Sequence, residues 1–194
     1  MFNLAIYYEN GERTEKNLKK AFDWYQKAAE NGNTNAMFNL AICYENGEGT
    51  EKNFKKAFDW YQKAAENGNT GAMFNLAIYY ENGKGTEKNF KIAFYWYQKA
   101  AVNGNANAMF NLARYYENGE GTEKNLEKYF YWNQKAAEKG HENSMYNLAL
   151  CYQYVPLYPK NNTGEKRMIE NNLIEDTNCE FCYKTKANEF EIDI

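Results

Sequence analysis

Residues 37–72 read MFNLAICYENGEGTEKNFKKAFDWYQKAAENGNTGA, and the same string, little altered, occupies residues 73–108 and 109–144. Residues 1–36 carry it one period earlier, and Met145-Tyr146-Asn147-Leu148-Ala149 begins a fifth copy. A 36-residue period held over four units is the mark of a one-dimensional stack. In such a stack each unit buries its apolar surface against its neighbours.

Each unit reads as two helices. In the second, Leu18, Ala21, Phe22, Trp24, Tyr25, Ala28 and Ala29 fall on one arc at about 100° per residue. Lys19, Lys20, Asp23, Gln26, Lys27 and Glu30 fill the rest, with Asp23 and Lys27 spaced as an i,i+4 ion pair. Asn17 is placed to cap this helix and Gly32 to end it. The first helix, Ala36 to Asn46, is apolar over most of its circumference, so it must be sandwiched with only a narrow polar strip in the open. Gly47 and Gly49 then open a loop that leads to the next cap, Asn53.

Composition narrows the function classes. Of 194 residues 44% are hydrophobic and 25% charged, which excludes wholesale disorder. A net charge of −3 gives no basic footprint for nucleic acid or an anionic membrane. No apolar run reaches the ~20 residues a bilayer demands. Met1 to Tyr8 has no basic n-region, so it does not read as a signal peptide, and a cytoplasmic protein is expected.

The pattern Asn-Leu-Ala-x-x-Tyr-x-x-Gly-x-Gly followed by Lys-Ala-x-x-Trp-Tyr-x-Lys-Ala-Ala-x-x-Gly resembles the Sel-one-like repeat, a relative of the tetratricopeptide repeat. The resemblance covers residues 1–154. It departs from the family at Ala5, Ala41, Ala77, Ala113 and Ala149, where Gly is usual, at Arg13 in a loop-glycine position, and at Tyr129 in place of a small residue. The expected fold is all-α, a right-handed α-solenoid of 36-residue helix-turn-helix units, with four complete units and the first helix of a fifth. The resemblance implies a non-enzymatic scaffold or adaptor that binds a protein or peptide along the concave face, lined by first helices. A hydrolase of the same repeat family and a nucleic-acid adaptor are the rival classes.

The first helices carry Asn3, Asn39, Asn75, Asn111 and Asn147 at one place on the polar strip. Four residues on stand Tyr7, Cys43, Tyr79, Tyr115 and Cys151. An amide both donates and accepts, which suits an extended peptide, and tyrosine adds area at low entropy cost. Asn39, Asn75, Asn111, Asn147, Tyr79 and Tyr115 are therefore the candidate partner-binding ladder, although the same Asn also fits an amide bonding between helices. A second candidate lies on the convex side, a docking patch or a seat for the C-terminal tail. There Lys20 and Lys56 give way to Ile92, and Asp23 and Asp59 to Tyr95 and Tyr131.

No catalytic, cofactor or metal site is expected. His141 and Ser144 align with Asn105 and Ala108, the turn that starts a first helix, where caps belong. Cys43 and Cys151 stand three periods apart, too far to bridge. Cys179-Glu-Phe-Cys182 supplies only two of the four ligands of a zinc ribbon. After Tyr154 the period breaks; residues 155–194 read as a degenerate tail with a capping helix at 165–175. Met1 begins inside a first helix without a polar cap, so the chain is expected either to be a fragment of a longer array or to pair with another molecule through that end.

Overall fold

A computed structural model describes residues 1–154, with side chains as far as Leu150. The readings made for 155–194, including the capping helix and the Cys179–Cys182 pair, lie outside the described residues.

Within them the chain forms helices alone: α1 (Phe2–Asn10), α2 (Leu18–Glu30), α3 (Thr34–Asn46), α4 (Phe54–Glu66), α5 (Thr70–Asn82), α6 (Phe90–Val102), α7 (Ala106–Asn118), α8 (Leu126–Glu138) and α9 (Glu142–Tyr154). Each packs mainly on the helix before it and the helix after it, as a stack of helix pairs requires.

Local chemistry sets the boundaries. The side chains of Asn17, Asn53, Asn89 and Asn125 accept from the backbone N–H three residues on, at 2.9–3.1 Å, and start the second helices. Asn33, Asn69 and Asn105 do the same for first helices at 2.8 Å. Gly47, Gly83 and Gly119 end the first helices in the left-handed conformation that glycine tolerates best. The second loop glycine has a different task. A Cβ on Gly49 would lie 2.2 Å from the Leu18 carbonyl oxygen, so this loop rests directly on the preceding second helix. Arg13, at the matching place in the first unit, holds φ at +61° and lays its guanidinium over the Tyr7 ring at 5.4 Å.

The core is a file of alanines and rings. Of the alanines that stand where the family has Gly, Ala5, Ala41, Ala77 and Ala113 are fully buried, while Ala149 is exposed. Tyr25, Tyr61 and Tyr97, at the centres of α2, α4 and α6, are also fully buried. One expectation about the outer surface needs correction. Asp23 pairs with Lys19 at 3.0 Å, while Lys27 instead lies over the Trp24 ring at 4.8 Å. The indole face competes for the ammonium and leaves the carboxylate to the earlier lysine.

Candidate functional site

Three of the second helices, α2, α4 and α6, are each tied to the first helix of their own unit by a tyrosine–glutamate hydrogen bond. Tyr25, Tyr61 and Tyr97 donate their hydroxyls to Glu9, Glu45 and Glu81, at 2.5, 2.7 and 2.5 Å. Burial, reinforced by that carboxylate, pushes all three phenols well above the ordinary tyrosine range. They are therefore permanent donors at physiological pH.

Two of these carboxylates also bridge to the next unit. The Glu45 Oε1 accepts from Lys84 at 2.6 Å, across the second and third units. The Glu81 Oε1 accepts from Arg114, across the third and fourth. Burial alone would raise the Glu45 carboxyl, but hydrogen bonds from Lys84 and Tyr61, with the Lys84 charge, hold it below the ordinary value.

The asparagines of the expected ladder stand beside this file. Asn39, Asn75, Asn111 and Asn147 are all partly exposed, one on each of α3, α5, α7 and α9. The Asn39 and Asn75 amides approach the Tyr25 and Tyr61 hydroxyls, drawing those phenols down against the larger effect of burial.

The tyrosine half of the ladder is corrected. Tyr79 and Tyr115 are 1% and 0% exposed, so they do not offer a surface to a ligand. Their rings meet Tyr61 and Tyr97 edge-on, with centroids 5.3 Å apart in each case. Four residues from an exposed Asn is slightly more than one helical turn, and the added rotation carries these positions under the neighbouring helix. Cys43, which takes the same place one unit earlier, is buried too, and burial pushes its thiol up to about 12.

On the outer side, Tyr95 and Tyr131 are 47% and 51% exposed, and Ile92 is partly exposed. Val102, further along the same stripe of α6, is 72% exposed where α2 and α4 carry glutamate. Sequence reading had singled out the first three and passed over Val102.

His141 is a cap. Its Nδ1 accepts from the Ser144 backbone N–H at 3.2 Å and lies 3.0 Å from the Ser144 hydroxyl. The ring stacks on Phe110 with centroids 4.6 Å apart. The Glu45, Glu81, Lys84 and Arg114 links were missed from sequence. The signal available was that Lys84 and Arg114 each break a column: Glu48 and Glu120 flank the first, Ile42 and Ile78 precede the second.

Among the described residues no helix is long and apolar enough to cross a membrane, and no group of acidic, His and Cys side chains is placed to hold a metal ion.

Comparison with known proteins follows the same units. The Sel1 repeat model matches residues 1–33, 34–69, 70–105, 106–141 and 143–154. No curated protein matches the chain. Among solved structures, c5321, a protective antigen of uropathogenic Escherichia coli with an SLR fold, is 33% identical with a TM-score of 0.74, covering 79% of this chain and 32% of its own. A Sel1 repeat protein from Oxalobacter formigenes is 36% identical with a TM-score of 0.73, covering 79% and 60%. Cysteine rich protein B of Helicobacter pylori is 28% identical with a TM-score of 0.54, covering 67% and 93%. The chain thus spans about a third and three-fifths of the first two structures' lengths. With its repeat units matched one after another from residue 1 to residue 154, the chain belongs to the Sel1-repeat family.

Proposed function

We propose that this chain is a non-enzymatic interaction scaffold, of cytoplasmic setting, that holds an extended peptide or protein segment along the face lined by its first helices. The observation that carries this reading is the column Asn39, Asn75, Asn111 and Asn147, one partly exposed amide per unit. An extended backbone needs donors and acceptors at regular intervals, and an Asn can offer both.

The test starts from affinity capture with the intact chain, followed by titration of the captured partner. Asn75→Ala with Asn111→Ala should weaken binding by ~1–3 kcal/mol, the range for leaving a buried polar group of the ligand unpaired. The convex patch is the competing reading, favoured by the exposure of Tyr95 and Tyr131. Tyr95→Asp with Tyr131→Asp restores the charge that α2 and α4 carry there and serves as the control. Loss of affinity from that pair alone would move the site to the outer face.

A further inference from the structure

On the outer side of α6 the exchanges remove acid as well as adding apolar surface. Where α2 carries Asp23 and Glu30, and α4 carries Asp59 and Glu66, α6 carries Tyr95 and Val102. Its sequence, FKIAFYWYQKAAV, holds two lysines and no acid. Lys19 and Lys55 pair with Asp23 and Asp59 at 3.0 and 2.9 Å. Lys91, which matches them, has no ion pair among the described residues. Lys27 and Lys63 lie over Trp24 and Trp60 at 4.8 and 4.2 Å, whereas the matching Lys99 lies over Tyr95 at 5.5 Å. Lys91, Ile92, Tyr95, Lys99 and Val102 share one arc of about 100° on α6. All but the half-buried Ile92 are exposed. Tyr131 repeats the aromatic at the matching place on α8.

An apolar stripe edged by lysines without acids suits a segment that alternates acidic and apolar residues, and this chain contains one. Glu189-Phe190-Glu191-Ile192-Asp193-Ile194, outside the described residues, has three acids, three apolar residues and no base. Alternation sorts the two kinds onto opposite sides of an extended run. The dimensions agree. Ile92 to Val102 rises about 15 Å along the helix, and Phe190 to Ile194 would span about 13 Å when extended. Lys91 and Lys99 are about 12 Å apart along the axis, against about 13 Å from Glu189 to Asp193. Residues 155–188 give more chain than the passage from α9 to α6 requires, since packed helices lie about 8–10 Å apart.

We propose that residues 189–194 dock along α6 of their own chain. Phe190, Ile192 and Ile194 rest on Ile92, Tyr95 and Val102, and the long side chains of Lys91 and Lys99 rise beside the segment to meet its carboxylates. The same places on α2 and α4 carry carboxylates, which meet an acidic segment with like charge and direct it to α6. This contact covers the outer patch and is independent of what the inner face binds.

The test is zero-length coupling of carboxylates to lysines in the full chain, with the products mapped by mass spectrometry. An equal mixture of light and nitrogen-15 chains separates links within a chain from links between copies. Lys91 and Lys99 should be joined to Glu189, Glu191 or Asp193 within one chain, and the matching Lys19, Lys27, Lys55 and Lys63 should not. Phe190→Ser with Ile192→Ser keeps every carboxylate and should abolish these links. Tyr95→Asp with Val102→Glu keeps both lysines, restores the residues of α2 and α4, and should abolish them too, with helix content unchanged by circular dichroism. Links spread evenly over α2, α4 and α6, links that survive both pairs of substitutions, links between copies only, or no link at all would overturn the docking.

Discussion

The second helices of the second and fourth units share a length and a cap but not a centre. In α4, Ala57 and Tyr61 are buried side by side, one turn apart, and the Tyr61 hydroxyl reaches Glu45 at 2.7 Å. In α8 the large ring stands one turn earlier: Tyr129 replaces the alanine, and Asn133 replaces the tyrosine. Asn133 is 1% exposed, turns its Nδ2 back to the Tyr129 carbonyl at 3.2 Å, and leaves its Oδ1 with no partner among the described residues. A ring can shift by a turn and still fill the space between two helices, because apolar contact is non-directional. A hydrogen bond cannot be moved in that way. The stack therefore tolerates the exchange in volume, and the bond that Asn133 makes stays inside α8 instead of crossing to α7.

The sharpest way to break this comparison is to remove the ring where the tie exists. Tyr61→Ala should cost ~3–5 kcal/mol in denaturant unfolding, as for other large aromatics cut from a core. Asn133→Leu should be neutral or stabilising, since it removes a buried acceptor without a partner among the described residues. Equal losses from the two would mean that the fourth unit has a tie of its own.

Rebuilding the consensus gives a smaller effect of opposite sign. Asn133→Tyr alone places two rings one turn apart and should destabilise by ~1–3 kcal/mol through overpacking. Adding Tyr129→Ala should recover that loss and raise the midpoint above that of the parent chain. If the double variant is no better than the single, ring volume is not what links the two positions.

The smallest effect is in the order of acid loss. The His141 cap requires a neutral Nδ1, and burial lowers its pKa below the ordinary imidazole value of 6.5. Its contribution is fully present above 6.5 and is lost as pH falls through the lowered folded value. Glu45 is held below its ordinary 4.5, so its contribution is full above 4.5 and is lost only as pH falls through a value lower still. Hydrogen exchange should show α9 opening at a higher pH than α3 and α4. His141→Asn, which restores the cap of the other first helices, should abolish the earlier step. Opening in the reverse order would remove the histidine from the cap.

The sequence by itself determined the period, the two helices of each unit and their ends. Those features are local: an Asn cap reaches three residues on, and a terminal glycine acts within one turn, so the interactions that set them lie inside any one copy of the repeat. It also marked Ile92, Tyr95 and Tyr131 as outward-facing, because a charged column had changed character at positions already known to face water. Only the tertiary structure decided which tyrosines are inside. A phenol is apolar in its ring and polar at its tip, so a helical wheel cannot assign Tyr79 or Tyr115 to strip or core. The helix of the neighbouring unit makes that choice by covering them. The same holds for Lys84 on Glu45, 39 residues apart, and for Arg114 on Glu81, 33 apart. Such pairs form between units, where the distance from ammonium or guanidinium to carboxylate depends on how one helix pair is seated on the next.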